Sequence, residues 1–539
     1  MPRATAKTEP PRGAEWVGAT SEVIVVKCFM GVLGLVVAVS GCGGHIDQHE
    51  AAPPVRPTLQ GATGSAQGEG ARPEEPEAKG TNAWRMVKPA VNGEIAGYVT
   101  ATSGVAGTSV GLRVSTQEPD YRVKAFRIGW YAGSSATRVW KSRVLKGAEQ
   151  AEPVFKPYDT RTVVAPWRTS VTVDTTGWLP GFYVFKLRTG TGWETQIPYV
   201  VSSEFARNTV ALVAPVTTWQ AYNRWGGYSL YFGPEGDRRS WAVSFNRPYH
   251  QAPGANDYRT AAIPIIMRAE RLHLPLSYFT NVDLHARPGV LQGARGYVSM
   301  GHDEYWTPAM RREVLKARNH GTSLAFLGAN TMYWRIRLPE SGTGQHRTVV
   351  GYRHDAFLDP LRDEIPDEAT ARFRDAPAAE PENDVVGMLY ECFPVDADYR
   401  VVSPTWWGFA GTGVRYGDLI PGLVGPESDR VYPNPSTPRP LQILSDSRID
   451  CRGTTTSSQS VYYTTTAGAG VFAAGTLRWG CALVDRCERP LGERTRAFVR
   501  VVTDNLLEAF ARGQVGKRHP AHDNVREFDL PLVNGVSAS

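Results

Sequence analysis

Short runs of alternating apolar and polar residues fill the chain between about residues 92 and 202. Gly, Pro and polar turns separate them, and five runs illustrate the pattern: YVTATS, SVGLRVS, KAFRIGWY, TSVTVD and GFYVFKL. Such alternation is typical of strands with one buried face. Short strands at this regular spacing favour an antiparallel β-sandwich. We therefore predict a β-sandwich domain over residues 89–204.

The pattern changes at Asn208, where longer apolar runs begin to alternate with amphipathic stretches. NTVALVAP is continuously apolar, as expected of a strand buried on both faces. LSYF, ARGYVSM and TSLAFLG follow as strands, with helices expected near 261–273 and at TPAMRREVLKARNHG. Strands and helices alternating in this way indicate a parallel, doubly wound α/β domain.

The C-terminal part of this domain is again rich in predicted strands, over residues 385–480. The amphipathic stretch RAFVRVVTDNLLEAFARG should form a helix that packs on the sheet and ends at Gly513. We place the α/β domain at 205–520 and a tail at 521–539. The predicted fold class is therefore α/β plus β, with the sandwich first.

An apolar run, FMGVLGLVVAVSG, lies at residues 29–41. It is shorter than the ~20 residues that a membrane-spanning helix needs, and its end, Val39-Ser40-Gly41-Cys42, resembles a bacterial lipobox. We predict a signal peptide over 1–41, lipidation of Cys42 and an extracytoplasmic, lipid-anchored location on the bacterial cell envelope. A short buried helix followed by a chance cysteine is the alternative. Residues 42–88, rich in Gly, Ala, Pro and Glu, are expected to be a flexible tether.

Four further cysteines lie in the last third of the chain: Cys392, Cys451, Cys481 and Cys487. Outside the cytoplasm, an even set of this kind indicates two disulfides. Cys481 and Cys487 bracket only ALVDR, so we expect them to pair with each other and Cys392 to pair with Cys451. Three connectivities are allowed by the sequence. The spacing matches no C-x-x-C zinc or redox motif.

The composition excludes two classes of protein. Of the 539 residues 42% are hydrophobic, which is too many for a chain that is disordered throughout. The 59 basic and 53 acidic residues give a net charge of +6, and the basic residues are scattered rather than clustered. We therefore expect no nucleic-acid partner.

Candidate chemistry follows the predicted strands of the α/β domain. Ligands of open α/β sheets bind beyond the carboxyl ends of the strands. Four polar and aromatic segments occupy such positions and should converge on one edge: TTWQAYNRWGGYSLY, NVDLH, GHDEYW and GANTMYW.

These segments leave the nature of the site open. Imidazole and carboxylate groups from His285, His302, Asp283 and Glu304 would suggest a loop-assembled metal site. Tyrosine phenolates with a carboxylate are hard oxygen donors and would suit a ferric ion instead. Asp283 and His285 would equally cap and buttress a turn, and Asn330 would equally bond the loop backbone.

At these segments the sequence resembles the large (beta) subunit of N,N-dimethylformamidase, particularly its C-terminal domain. The resemblance covers about 90–520, and four stretches carry it: WQAYN at 219–223, FTNVDLH at 279–285, GHDEYW at 301–306 and GANTMYW at 328–334. It implies a β-sandwich ahead of an α/β domain similar to glutamine amidotransferases. It also implies amide hydrolysis at a mononuclear ferric (Fe3+) site held by two tyrosines and one glutamate.

The resemblance assigns roles to individual residues. Glu304 takes the place of the metal-binding glutamate, and Tyr222 that of the first tyrosine. Tyr231 is the choice for the second tyrosine, with Tyr249 and Tyr258 as alternatives. Three further residues are assigned beside the metal: His302 as the group that moves a proton to the leaving amine, Asn330 as a donor to the oxyanion and Glu427 as a further acidic residue. Asp283 is a further catalytic candidate because of its position at a strand end. Three tryptophans would wall the pocket: Trp219, Trp306 and Trp334.

We therefore expect a metal-dependent hydrolase of linear C–N amide bonds that acts on a small amide substrate and is held at the membrane by a lipid. No segment resembling a small partner subunit is evident, and homo-oligomerisation is left open. The alternative is a non-catalytic surface module that binds a small ligand or saccharide in the aromatic pocket.

Overall fold

The computed structural model describes residues 79–234, 238–251, 254–340 and 344–531. These described residues form one compact unit. The predicted signal peptide and the candidate lipidation site, Cys42, lie outside the described residues. Within the described ranges, no helix is both long enough and apolar enough to span a membrane.

The N-terminal region is built from short strands because its apolar positions alternate along the chain. The strands are β1 (Ala96–Val99), β2 (Ser103–Val105), β3 (Val110–Ser115), β4 (Asp120–Tyr131), β5 (Ser134–Lys141), β6 (Leu145–Lys146), β7 (Val154–Phe155), β8 (Val163–Val164), β9 (Val171–Val173), β10 (Gly181–Thr189) and β11 (Glu194–Ser202). One sheet has the order β1-β3-β9, and the other has the order β2-β11-β10-β4-β5. Both sheets contribute to one apolar core, through side chains such as Leu112 and Phe185.

The remaining strands and all eight α-helices of the described residues follow. The strands are β12 (Val210–Ala214), β13 (Ala242–Ser244), β14 (Leu276–Thr280), β15 (Gly296–Ser299), β16 (Tyr305–Trp306), β17 (Ser323–Phe326), β18 (Trp334–Arg335), β19 (Thr348–Val350), β20 (Leu389–Cys392), β21 (Ala397–Arg400), β22 (Leu419–Val424), β23 (Ser428–Arg430), β24 (Leu441–Cys451), β25 (Thr454–Thr464) and β26 (Gly470–Ala473). The helices are α1 (Val216–Tyr222), α2 (Ile263–Arg271), α3 (Asn281–Ala286), α4 (Pro308–Asn319), α5 (Asn383–Val386), α6 (Arg478–Ala482), α7 (Glu493–Arg512) and α8 (Val515–Arg518).

A seven-stranded sheet of order β14-β12-β15-β17-β26-β25-β24 forms the centre of this region. The pairs from β14 to β26 are parallel, and β24 and β25 add an antiparallel edge. From β12 the chain crosses to β14 on one side, and then returns to β15 and β17 on the other. Right-handed crossovers therefore put α2 and α4 on opposite faces of the sheet. Accordingly, α2 packs with α7, and α3 packs with α4. The molecule is thus a mixed α/β protein with several sheets.

Local sequence explains where the two long helices begin and end. Thr307 caps α4 by accepting a hydrogen bond from the Met310 backbone, and Pro308 occupies the first helical turn, where its missing N–H costs nothing. Helix α7 follows Gly492 and stops at Gly513, whose φ of +70° is unfavourable for other residues.

Two boundaries differ from the prediction. The expected tether, 42–88, is packed at its described end: Trp84 is buried and its Nε1 donates a hydrogen bond to Ser135 Oγ at 2.7 Å. The expected tail, 521–539, begins with a packed segment, in which the Asn524 side chain donates to the carbonyl of Ile443. In both segments one side chain anchors a stretch whose composition is otherwise typical of a linker.

Two disulfides link the cysteines in the pairing preferred from their spacing. Cys392 is bonded to Cys451, and Cys481 is bonded to Cys487. The first bridge ties β20 to the end of β24. The second joins Cys481 in the last turn of α6 to Cys487 in the loop that follows the helix.

Candidate functional site

Two neighbouring parallel strands, β12 and β15, end at the same edge of the sheet, so the segments that follow them lie side by side there. After β12 the chain forms α1, whose last residue is Tyr222. After β15 it turns at Gly301 and continues through His302 to Glu304. Strand β12 is also where the strand order reverses, because β14 lies on one side of it and β15 on the other. Ligands bind at such a switch point in open α/β sheets.

Glycine is required where the strand-end turns meet. Gly301 has a φ of +97°, and a Cβ built on it would lie 2.5 Å from Ala261 Cβ. A Cβ on Gly328, after β17, would lie 2.4 Å from the Gly301 carbonyl oxygen. The two turns therefore approach as closely as they do only because Gly328 lacks a side chain, and Gly301 fits against Ala261 for the same reason.

Two tyrosine hydroxyls meet at the carboxyl group of Glu304. The Tyr222 hydroxyl donates a hydrogen bond to Glu304 Oε2 at 2.8 Å, and the Tyr231 hydroxyl lies 2.7 Å from both carboxylate oxygens. The two tyrosine rings stack with their centroids 4.4 Å apart. Glu304 itself is only 2% exposed, and its backbone N–H is held by Thr218 Oγ1. We name this group, Tyr222, Tyr231 and Glu304, the oxygen cluster.

Burial governs the protonation of the oxygen cluster. It raises the pKa of both tyrosine hydroxyls well above the ordinary value, and the nearby Glu304 charge raises them further. Burial also raises the pKa of Glu304, although hydrogen bonds from the tyrosines and the charge of Arg353 oppose that shift. The two tyrosine hydroxyls of the cluster are therefore protonated, and a bound cation would displace their protons.

Arg353 and Tyr305 extend the cluster on the side of Tyr231. Arg353 donates to the Tyr305 hydroxyl at 3.0 Å, and that hydroxyl donates to the Tyr231 hydroxyl at 2.7 Å. The Arg353 guanidinium also lies 4.0 Å from the Tyr231 ring centroid. Burial lowers the pKa of Arg353, but Tyr305, Tyr231 and Glu304 raise it by more, so the residue stays charged.

His302 lies between two buried carboxyl groups. Its Nε2 is 3.5 Å from Glu304 Oε2 and 3.4 Å from Glu427 Oε2, longer than hydrogen bonds. Burial lowers the pKa of His302 to about 3, and burial together with the Glu304 charge raises the pKa of Glu427 well above its usual range. His302 Nε2 and Glu427 Oε2 are both buried without a hydrogen-bond partner. Facing polar atoms left in this state indicate a place for a ligand or water.

Asn330 approaches the same place from the turn after β17. Its φ of +54° is uncommon outside glycine, and its backbone N–H is fixed by a 2.8 Å hydrogen bond to Asp429 Oδ1. Its side-chain amide hydrogen-bonds Glu427 and so opposes the rise in the pKa of that residue. The Asn330 Oδ1 atom is buried without a partner.

Two predicted candidates have structural roles. Asp283 caps α3 in a capping box with Thr280, and its other oxygen accepts from Ser103 Oγ at 3.0 Å. His285 Nδ1 lies 3.0 Å from the Thr307 hydroxyl, next to the start of α4. Both residues follow the end of β14, as expected, but α3 begins there. Asp283 therefore caps that helix, and the His285 side chain packs beside Thr307.

Tyr249 and Tyr258, the alternatives to Tyr231, lie between the sandwich and the central sheet. Tyr258 is buried with its hydroxyl 3.3 Å from Gln196 of β11 and packs on Trp219. Tyr249 lines a small apolar cavity together with Phe182 and other core residues. Of the three tyrosines considered, Tyr231 is the one whose hydroxyl reaches Glu304.

The predicted tryptophan walls need a correction. Trp219 and Trp306 are fully buried in the core, and Trp306 Nε1 donates to the Asp303 carbonyl at 2.8 Å. Because α1 and the segment after β15 pack against the core, these two side chains lie inside the core and do not line an open pocket. Trp334 does line an open cleft, which it shares with Arg353.

Sequence reasoning did not identify Arg353 or Tyr305 as site residues. Tyr305 directly follows Glu304 in GHDEYW, so its position in that motif was an available signal. Arg353 comes from an irregular segment after β19 and has a φ of +59°. No local periodicity marks it, and only the folded chain brings it to Tyr305.

Comparison with known proteins gives one informative match. The family model "N,N-dimethylformamidase beta subunit-like, C-terminal" matches residues 122–489, which is well over half of the chain. A comparison with curated proteins gives no match. Among solved structures, an uncharacterized protein from Bacillus anthracis str. Ames is 12% identical, with 18% of this chain and 78% of that one covered and a TM-score of 0.11. A similarity at that level supports no argument about fold or function.

The matched range contains every member of the oxygen cluster together with His302, Asn330 and Glu427. It also contains the seven strands of the central sheet. The resemblance carried by the four strand-end motifs is thereby confirmed, and at the family level it indicates a dimethylformamidase-like hydrolase. The chain belongs to the N,N-dimethylformamidase beta subunit-like, C-terminal family.

Proposed function

We propose that this chain is a hydrolase of linear carboxamides that depends on one ferric ion, with chemistry similar to that of N,N-dimethylformamidase. The observation that carries the proposal is the oxygen cluster, in which two tyrosine hydroxyls lie within 2.8 Å of one buried carboxylate. Family membership supports the reaction class, and the cluster supports the cofactor.

The donor set suits a ferric ion. Two phenolates and one carboxylate are hard oxygen ligands, and together they carry three negative charges that match a trivalent cation. They would be costly to ionise in a buried site without such a cation, as the raised tyrosine pKa values indicate. Tyr222, Tyr231 and Glu304 would therefore hold the metal. A bound ferric ion supplies Lewis acidity toward the amide carbonyl or a water molecule.

His302 has the position for proton transfer. Its ring is neutral and its Nε2 has no hydrogen-bond partner, so that atom is available to take a proton from water and deliver it to the leaving amine. Glu304 lies 3.5 Å from Nε2 and would stabilise the imidazolium that forms in between.

Asn330 and Glu427 would orient the substrate from the opposite side. The Asn330 backbone is fixed by Asp429, so its amide has a defined direction toward Glu427. A rigid, buried amide of this kind can stabilise charge that develops on a carbonyl oxygen. Burial favours the protonated form of Glu427, which makes it a hydrogen-bond donor rather than a competing anion.

We further propose that the protein acts outside the cytoplasm as a lipid-anchored enzyme. Two disulfides support this location, because such bonds persist mainly in oxidising compartments. The lipobox-like Val39-Ser40-Gly41-Cys42 supports the anchor. The strand order of the central sheet is compatible with a glutamine-amidotransferase-like domain, which is the finer fold that we propose.

The test is an assay of N,N-dimethylformamide hydrolysis by the purified chain with and without iron. The amount of dimethylamine released measures the reaction. We expect activity that requires iron and that falls at least tenfold to a hundredfold in Tyr222→Phe, the loss typical even of residues that only support a metal ligand. Tyr228→Phe is the matched control, since Tyr228 packs edge-on against Phe155 instead. Iron-loaded protein that binds small amides without turnover would overturn the proposal in favour of a non-catalytic binding module.

A further inference from the structure

A cleft of about 430 Å³ opens beside the oxygen cluster. Its lining combines aromatic and basic side chains from the segments that follow β17 and β19. The residues that matter here are Trp334, Arg353, His354, Phe357, Arg362 and Arg372. We name this feature the arginine cleft.

The arginine cleft has an excess of positive charge. Three arginines line it against a single carboxylate, Asp375, which pairs with Arg372 at 2.5 Å. Among the residues that the structure describes, no carboxylate forms an ion pair with Arg362. His354 adds no charge near neutral pH, because burial and the neighbouring arginines lower its pKa.

The arginine cleft and the oxygen cluster share two side chains. Trp334 lines the cleft and also hydrogen-bonds the Glu304 carboxylate, which helps to lower the pKa of Glu304. Arg353 lines the cleft while its guanidinium lies 4.0 Å from the Tyr231 ring centroid and 5.3 Å from that of Trp334. Arg353 Nε is buried without a hydrogen-bond partner. The arginine cleft is therefore adjacent to the oxygen cluster, with Trp334 and Arg353 between them.

We propose that the arginine cleft binds a carboxylate carried by the amide substrate. This inference rests on the proposed function and narrows its substrate class to linear amides with a carboxylate at the end of a short chain. Arg362, with no ion pair of its own, would bind the carboxylate, and Trp334 and Phe357 would contact the apolar chain between the two groups. Arginine suits this task because its planar guanidinium matches carboxylate geometry.

The reaction is ordinary hydrolysis and needs no further reactant. Water adds its hydroxyl to the acyl carbon, the C–N bond breaks, and the remaining proton goes to the amine nitrogen. The carboxylate in the cleft does not react, so its effect is on binding and orientation of the substrate.

The test compares the N,N-dimethylsuccinamate anion with its neutral methyl ester as substrates of the full, iron-loaded chain. For the original chain we expect kcat/KM to favour the anion. In Arg362→Gln the ratio of kcat/KM for the anion to kcat/KM for the ester should fall about tenfold or more. The fall should come from a higher KM for the anion, as expected for loss of one charge-assisted contact. Arg415→Gln is the control, because Arg415 is an exposed arginine in the turn before β22.

Calorimetric binding of dimethylsuccinamate separates this inference from the proposed function. Binding to the original chain that is lost in Arg362→Gln supports the arginine cleft even if no amide is hydrolysed. Hydrolysis of both substrates with equal kcat/KM, and equal binding by both chains, would overturn the arginine cleft and leave the proposed function intact. An equal fall in the preference for the anion in Arg415→Gln would also overturn the inference. The preference would then depend on the net charge of the protein and not on the arginine cleft.

Discussion

Glu304 contacts both the tyrosines that would bind the metal and the histidine that would transfer the proton. Its carboxylate accepts hydrogen bonds from Tyr222 and Tyr231, and the same group lies 3.5 Å from His302 Nε2. Its side chain is almost completely buried, so its charge must be compensated by neighbours or by a bound cation. This explains why a single substitution here should change both metal binding and proton transfer.

Glu304→Gln should remove iron from the protein while leaving the size of the side chain unchanged. The substitution takes away one of the three negative charges that a trivalent cation needs, so the purified protein should hold little or no iron by elemental analysis. Glu508→Gln is the control, since Glu508 lies on the exposed face of α7. Iron content equal to that of the original chain would remove Glu304 from the set of ligands.

His285 makes a separate prediction about acid stability. Burial, with smaller contributions from His346 and Arg312, lowers its pKa to about 4 in the folded chain, against about 6.5 when unfolded. As the pH falls from about 6.5 to 4, the unfolded state therefore takes up a proton that the folded state does not, and stability is lost. His285→Asn should reduce this loss in urea unfolding measured across that range. An identical pH dependence in the two proteins would contradict the burial of a neutral imidazole.

The strand-end turns are the elements that set the geometry of the site. Gly301 and Gly289 both have positive φ, at +97° and +86°, but only Gly301 has a neighbour within 4 Å of its would-be Cβ. Gly301→Ala should therefore lower the free energy of unfolding by about 1–3 kcal/mol more than Gly289→Ala, the cost of overpacking beyond the shared backbone strain. Chemical denaturation measures this difference. Equal losses would mean that the contact with Ala261 is not restrictive.

The elements of the α/β region could be predicted because their signals are local. NTVALVAP and ARGYVSM form β12 and β15, whose residues are buried throughout, and the polar residues directly after them had to lie at one sheet edge. Tyr222 and Glu304 follow from that argument. Tyr231 does not, because the choice among three tyrosines depends on how the irregular segment after α1 folds back onto Glu304.

Contacts that arise between distant segments lay outside the reach of sequence patterns. Arg353 and Glu427 come from stretches without periodicity, and they reach the site through tertiary packing alone. Only the family resemblance pointed to Glu427, and nothing in the sequence pointed to Arg353. Asp283 shows the opposite problem, since its strand-end position suggested chemistry while the local pairing with Thr280 makes it a cap. A carboxylate in the first turn of a helix that follows a strand has the same sequence position whether it caps the helix or takes part in catalysis.

At the scale of the whole molecule, a buried ion pair joins the sandwich to the α/β region. Arg127 of β4 donates to Glu270 of α2 at 2.8 Å, and both side chains are almost fully buried. The Tyr278 hydroxyl also donates to Glu270. The sandwich is thereby held against α2, which packs beside the central sheet.

Arg127→Met should destabilise the protein by about 3–5 kcal/mol, because it leaves the Glu270 carboxylate buried without its arginine. The double variant Arg127→Met with Glu270→Met should recover part of that loss, since it removes the buried charge as well. Denaturant unfolding of the three proteins measures both effects. A single variant as stable as the original chain would show that the pair does not hold the two regions together.

The central claim is that Tyr222, Tyr231 and Glu304 bind one ferric ion, and titration of the purified full chain with ferric iron, followed by visible absorption, tests it most directly. Coordination of phenolate to ferric iron produces colour, so the account predicts a visible band that saturates at one iron per chain. The band should be strongly weakened in Tyr231→Phe and unchanged in Tyr228→Phe. A titration that produces no colour, or a band of equal strength in both variants, would contradict the assignment of these tyrosines as ligands.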